Sequence, residues 1–415
     1  MKWLMVEIKD VSLVILLLLI CGGAAFAAGA VVSDVDNNIY TVERIIFDTE
    51  NCFIFNGITP TSISYNNISG ITFSRSFSQT VKSSMKLVTN NGDVIMGKID
   101  NGLKDNIVFY SPLLSKIEFG FNAIKSIEID SFKIPMADAA EEDTVYLTNG
   151  DKDTGVIKAL DRERLIIKSS LYNKEATYKL TGICGILFSL AANQNSSAKK
   201  ELKGLSAAVI YRDGSSMNGS LLCSRSEQVE LSTAYGKYPV PFSSVSFIYF
   251  TNNRCHYLSD YKPVATKEYA WSFAKDDIFL WPYRRDKSVF MDKGEAKNIF
   301  IKSLEYPKGL GVHANSELVY RFGELVAGKS CNDYQTFCAT IGLDDAAGGK
   351  ASVQFLVYLD ENKVYESKVF KYGDAPEKIT IPLNKAKEIK LIVTDAGDGY
   401  VHDRAAWALA RVINP

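Results

Sequence analysis

Three stretches of the sequence follow one pattern of apolar and polar positions. MKLVTNNGDVIMGKI starts at Met85 and its segment closes in AIKSIEI at Ile129. TVYLTNGDKDTGVI starts at Thr144 and closes in LTGICGILF at Phe188, and AAVIYRDGSSMNGSL starts at Ala207 and closes in FSSVSFIYF at Phe250. In each, apolar residues alternate with polar ones on both sides of Asn91-Gly92, Asn149-Gly150 or Asp213-Gly214. A period of two across such a dipeptide predicts a β-hairpin with a type I′ turn, whose two central residues both take positive φ. Val145 and Leu147 before the turn, with Val156 after it, predict one buried face. Gly97, Gly155 and Gly219 recur shortly after the turns, where a curved strand bends or bulges. The closing I-x-x-I-x-I/F element predicts a short turn into a last strand.

Aligning Gly92, Gly150 and Gly214 gives steps of 58 and 64 residues, a near-constant period that marks tandem structural units. A weaker first copy covers Asn38 to Phe73 and ends in ISGITF. The units are expected at 28–80 (divergent), 81–135, 142–190 and 205–252, with MADAAEED (Met136 to Asp143) and NQNSSAKKELKG (Asn193 to Gly204) as linkers. In pattern the unit resembles a small SH3-like or Sm-like barrel of about five strands. Each is small enough to bury only a modest core, so adjacent repeats are expected to pack together. The repeats contain no histidine, and Asp93 and Asp151 read as turn residues.

The texture changes at Cys255. Val353, Phe355, Val357 and Leu359 alternate with Ser352, Gln354, Leu356 and Tyr358; Asp360-Glu361-Asn362 reads as a turn, and Val364 and Tyr365 as the start of the partner strand. Ile379, Ile381 and Leu383 alternate, as do Ile389, Leu391 and Val393. Turn-rich alternation without long helices predicts an antiparallel two-sheet sandwich over 255–415. The fold class is therefore all-β: tandem small β-barrel-like repeats followed by a C-terminal sandwich.

The N-terminus is written as an address. Lys2 and Lys9 precede an apolar run from Val11 to Ile20, and Ala25-Phe26-Ala27 fits a small-x-small cleavage site, so 1–27 reads as a cleaved signal peptide. A membrane anchor is the alternative, weakened because the run ends in Gly and Ala with no basic cluster after it. Ile20 before Cys21 argues against lipid attachment at that thiol. No later stretch is apolar enough to span a bilayer, so the mature protein is expected to be secreted, periplasmic or at the cell surface.

Composition narrows the chemistry. Lys and Arg total 47 against 48 Asp and Glu among 415 residues, so no basic excess is present for gripping nucleic acid. Cys52, Cys184, Cys223, Cys255, Cys331 and Cys338 remain after the leader, and their spacing does not choose a pairing. No C-x-x-C or paired Cys/His spacing exists, which excludes structural zinc. His256, His313 and His402 are the only histidines.

The last two-fifths of the chain, about Tyr257 to Val412, also carries an ordered set of motifs: an L-S-D opening at Leu258, K-G-L-G-V-H at Lys308 to His313, G-L-D-D at Gly342 to Asp345, and D-x-x-x-W-x-x-A-R at Asp403 to Arg411. In that order and spacing they resemble NPCBM, a family of carbohydrate-binding modules. The resemblance implies a jelly-roll, galactose-binding-like fold. It also implies a non-catalytic role with sugar, often galactose-type, held on loops at one end, and in some members a structural calcium. Members commonly close in D-H-A-D-W-A-D-A-R, whereas this sequence has Asp403-Arg404-Ala405-Ala406-Trp407-Ala408-Leu409-Ala410-Arg411. If the missing His and acids serve sugar hydroxyls or an ion, the site is weakened or altered.

Sugar sites pair an aromatic face with directed polar groups, because a pyranose offers C–H patches beside its hydroxyls. Trp281, Tyr283, Arg284, Arg285 and Asp286 form the densest such cluster, with a surface loop packed on the sandwich as the alternative. His313, following Gly309 and Gly311, reads as a sugar contact or as a buried imidazole bonded to backbone. His402 and Asp403 complete the candidate carbohydrate set. Asp344 and Asp345 are candidate calcium ligands, with an Asp-rich turn as the alternative, and Trp407 reads as core. Three functions follow in order: an exported non-catalytic glycan-binding protein, with the repeats as a stalk or a platform for a protein partner; a structural or assembly component whose sandwich has lost its ligand; and a glycoside hydrolase, for which the repeats leave no room.

Overall fold

The structure is a computed structural model that describes residues 29–47, 51–57, 59–73, 83–102, 105–130, 132–135, 141–189, 206–225, 228–251, 253–268, 271–272, 278–279, 281–292, 295–326, 328–399 and 401–415. The leader and both linkers lie wholly or mostly outside these residues. The chain divides into two compact units between residues 252 and 253. Both are built of antiparallel strands, and the α-helix among the described residues is the single turn Phe322–Leu325.

The first unit holds four repeats; the last three share one element order, and in the first the second strand is divided into Ile39–Val42 and Arg44–Phe47. In the third copy, strands Asp143–Leu147, Lys152–Leu160, Arg164–Ser169 and Lys174–Lys179 are followed by a 3₁₀ turn, Leu180–Gly182, and a last strand, Ile183–Leu187. The second and fourth copies repeat this from Met85 and from Ser206. The first begins earlier than its written pattern suggests: Ala30–Asp34 is already a strand, pairing with Ile68–Phe73.

The hairpin tips differ from the expected I′ form. Gly92 N–H donates to Thr89 O and Thr89 N–H to Asp93 O, and the same pair of bonds recurs at 147–151 and 211–215. Gly92, Gly150 and Gly214 take φ of 86°, 92° and 90°, whereas Asn91, Asn149 and Asp213 keep negative φ. This is the pattern of a three-residue loop closed by a G1 bulge, in which only the glycine must be left-handed. Val156, expected on the buried face, is 51% exposed. Pairing Thr144 with Thr154 turns Asp153, Gly155 and Ile157 inward instead.

Gly97 shows why glycine follows each tip. A Cβ there would lie 2.2 Å from the carbonyl oxygen of Tyr110 on the facing strand. The long second strand pairs with the first near its start and with the third toward its end, and only a residue without a side chain permits the inward bend between them.

The repeats share one apolar core, but they do not join in sequence order. The last strands of repeats 2 and 3 pair through Ser126–Glu128 and Gly185–Leu187, while the last strand of repeat 1 pairs with that of repeat 4 through Ile71–Thr72 and Phe247–Ile248. Repeats 2 and 4 meet at their hairpins, where Val94 bridges Ser216. Asp93, read as a turn residue, is buried there and accepts the backbone N–H of Asn218 at 2.7 Å.

The second unit is a sandwich of two sheets. One runs in the order Arg284–Arg285, Gly309–His313, Arg404–Ile413, Thr336–Leu343, Glu377–Pro382, with Cys255–Tyr257 pairing the far end of Arg404–Ile413. The other runs Ala265–Glu268, Ser316–Arg321, Glu388–Thr394, Ser352–Leu359, Asn362–Glu366. The alternation expected at Val353, Phe355, Val357 and Leu359, and at Ile389, Leu391 and Val393, faces the core, with Trp407 fully buried between Phe337 and Phe355. The Asp360-Glu361 turn has positive φ at both residues, and its partner strand begins at once, at Asn362. Of the cysteines, Cys52, Cys184, Cys255 and Cys331 are unbridged.

Candidate functional site

Strands Gly309–His313 and Arg404–Ile413 set the geometry. Leu310, Val312, Ala405 and Trp407 point into the sandwich, so Gly309, Gly311, His313, Arg404, Ala406 and Ala408 line the outer face of that sheet. Toward one end, the hairpin formed by Ile299–Ile301 and Leu304–Tyr306 covers Ala406 and Ala408 with Ile299 and Ile301. At the other end, beyond this hairpin, His313 stands opposite Arg404.

Trp281 lies over this pair. Its ring stacks on His313 with centroids 5.3 Å apart and planes 18° from parallel. The Arg404 guanidinium carbon is 5.2 Å from the Trp281 ring and 5.2 Å from that of Phe290. His313 and Arg404 are cross-strand neighbours on one sheet face, so both approach Trp281 from the sheet side. Burial holds the His313 imidazole below its ordinary value, opposed by the bond of Nδ1 with Ala314 O at 2.6 Å. Burial likewise lowers the Arg404 guanidinium, with Asp344 acting the other way. Arg404 donates from Nη1 to Ala346 O at 2.8 Å, its buried Nε has no acceptor, and it makes no ion pair with a described residue.

The other sequence candidates do not all converge here. Tyr283 packs against the sandwich core, and strand alternation puts Arg285 in the row of Leu310, on the opposite side of the sheet from Arg284. His402 is exposed on the neighbouring loop, its ring against Gly348. Asp403 is fully buried: Oδ1 accepts Ser352 N–H at 3.0 Å, and burial pushes its carboxyl up to about 7. It joins the two sheets and is out of a ligand's reach. Asp344 and Asp345 are divided between two tasks. Asp345 accepts Lys302 N–H and Ser303 N–H on its two oxygens, closing the 301–304 turn, while buried Asp344 accepts Ala346 N–H and is raised by burial to about 6. Among the described residues no group of three or more His, Cys, Asp or Glu side chains is placed to share an ion. Arg404 and Phe290 were absent from the sequence candidates. The only written signal was the replacement of a motif His by Arg at position 404, which brings a cation onto Trp281.

The ordered motifs have structural explanations. Lys308 is 2% exposed, and its ammonium donates to Asp260 of the L-S-D opening at 2.6 Å and to Asp286 at 2.8 Å. Asp286 also accepts Gly309 N–H at 3.0 Å. A Cβ at Gly309 would come within 2.9 Å of Ala408 Cα and Trp407 O. The motifs thus pin the strand that presents His313 to the strand that presents Arg404.

Residues 256–413 match the NPCBM/NEW2 domain. Over 158 residues this NPCBM region is 32% identical to a Renibacterium salmoninarum protein named as a candidate endo-alpha-N-acetylgalactosaminidase, a match covering 38% of the present chain and 9% of that protein. Among solved structures it is similar to a CBM51 module of Clostridium perfringens GH95 in complex with methyl-galactose, at 26% identity and TM-score 0.30, covering 38% of this chain and 99% of that one. The tandem CBM51 modules of a family 98 glycoside hydrolase from Streptococcus pneumoniae match at 14% identity and TM-score 0.32, covering 80% of this chain and 88% of that one. Among the described residues no helix is long and apolar enough to cross a membrane.

Proposed function

We propose that the NPCBM region binds carbohydrate without catalysis, through the end of the outer sheet face where Trp281 lies over His313 and Arg404. The observation that carries this reading is the placement of a partly exposed indole over a cation and an imidazole. Such a plane offers a pyranose its C–H contact, and the Arg404 edge offers donors to ring hydroxyls. The matched NPCBM/NEW2 domain supports the class of ligand, and a galactose-type sugar is the first probe. The written leader supports export of the protein, with the repeats as its platform. The activity named for the Renibacterium relative belongs to a protein of which this chain spans 9%, and hydrolysis is not part of the proposal.

The test is calorimetric titration and glycan-array binding with the full chain. Binding of a galactose-containing glycan that falls at least ~10-fold in Trp281→Ala, with Trp407 emission unchanged, supports the site. Failure to bind any glycan by a folded chain removes the carbohydrate reading. Binding that survives Trp281→Ala and Arg404→Ala moves it elsewhere.

A further inference from the structure

The joint between repeats 2 and 4 has an internal twofold. Counting from Gly92 and Gly214, Asp93 corresponds to Ser215, Val94 to Ser216 and Met96 to Asn218. The contacts obey this correspondence: Asp93 Oδ1 accepts Asn218 N–H at 2.7 Å, and Ser215 Oγ accepts Met96 N–H at 2.9 Å. Val94 bridges Ser216, the position that meets its own counterpart on the axis. The loop before the fourth strand completes the contact, with Tyr235 of repeat 4 set edge-on to Phe119 of repeat 2 at 4.8 Å. An interface in which position i meets j and j meets i is self-complementary.

Among the described residues, repeat 3 carries the same face with Asp151 and Lys152 exposed and Thr154 half-buried. Asp151 stands at the position of Asp93 and Ser215, and Thr154 at that of Met96 and Asn218. The strand register is shared: Thr144 opposite Thr154, Lys86 opposite Met96, Ala208 opposite Asn218. Asp93 and Ser215 are 2% and 0% exposed, whereas Asp151 is exposed. On the same hairpin and the loop corresponding to that of Tyr235, Val156 is 51% exposed and Leu171 and Tyr172 are each 64% exposed. Uncovered apolar side chains beside a set of joint-forming positions mark an interaction surface.

We propose that this face binds the same face of a second copy of the chain, making a closed twofold dimer through repeat 3. The occupant follows from the joint already present: a face whose two internal copies fit each other as counterparts fits itself. Lys152 occupies the axial position of Val94 and Ser216, so each protomer brings an ammonium beside the other's Asp151. That supplies two reciprocal ion pairs, and it sets the two lysines near each other. The dimer is accordingly moderate in affinity and sensitive to salt.

Sedimentation velocity of the full chain over a concentration series tests this. The expected result is a monomer–dimer equilibrium that Asp151→Lys, at an exposed position, weakens at least tenfold. Tyr172→Glu should weaken it similarly. Lys152→Val, which restores the residue of repeat 2 and removes the lysine repulsion, should tighten it severalfold. A chain that stays monomeric at every concentration, with Lys152→Val also monomeric, overturns the proposal. So does a dimer that Asp151→Lys and Tyr172→Glu leave unchanged. Circular dichroism confirms that each variant is folded.

Discussion

Lys308 tests whether desolvation governs the motif that anchors the sandwich. Its side chain is 2% exposed, but its partners Asp260 and Asp286 are 36% and 31% exposed. Removing the cation with Lys308→Met keeps most of the buried stem's volume and leaves two carboxylates that water already reaches. Their rehydration limits the loss to about 1–2 kcal/mol, in line with partly exposed ion pairs. Removing both anions with Asp260→Asn and Asp286→Asn retains Asn Oδ1 as an acceptor for Gly309 N–H but strips a buried ammonium of its carboxylates. That costs about 3–5 kcal/mol. The double variant should therefore be the weaker one by about 2 kcal/mol. Urea unfolding followed by tryptophan emission reads this unit selectively, because Trp271, Trp281 and Trp407 all lie in it and the repeats contain none. With a slope near 2 kcal/mol/M the two midpoints should differ by about 1 M. If Lys308→Met unfolds at the lower urea concentration, the unequal exposure of the partners does not control the network and the reasoning fails.

Gly97→Ala should destabilise the repeats by about 1–3 kcal/mol in thermal unfolding followed by far-ultraviolet dichroism, since its methyl would meet Tyr110 O at 2.2 Å; an unchanged midpoint would show that the strand bends elsewhere. Asp93→Ala removes the acceptor for Asn218 N–H and Nδ2 and should cost about 2 kcal/mol, with faster amide exchange at Asn218. Asp403, raised by burial to about 7, holds a proton in the folded state that the unfolded chain gives up near pH 4. Its contribution is thus fully present at low pH and lost as pH rises toward 7. The stability of Asp403→Asn relative to the parent should climb across that window in parallel urea titrations, and a flat difference would count against a buried neutral carboxyl.

Much of the architecture was legible in the residues. Period-two alternation located Val353, Phe355, Val357 and Leu359 on the core side, because a strand has only two faces and one was written apolar. The recurring glycines marked the tips and bends, because few other residues can occupy a left-handed turn or lie against a facing carbonyl. Val156 escaped this logic: it stands beside Ile157, so two adjacent apolar letters fit opposite faces, and the inward Gly155 before them gives no apolar letter to decide between them.

What the tertiary structure alone decided is which distant positions meet. Asp93 looks like Asp151 in the sequence, yet one is sealed against Asn218 and the other is exposed, because joining depends on which repeat edge reaches which. Trp281 and Phe290 flank the short strand Arg284–Arg285, and they meet His313 and Arg404 because that strand pairs with Gly309–His313, which pairs in turn with Arg404–Ile413. Local alternation assigns a side chain to a face, but its neighbours across the sheet come from strand order and register. Those are set by contacts between segments far apart in the chain, which no short stretch of residues encodes.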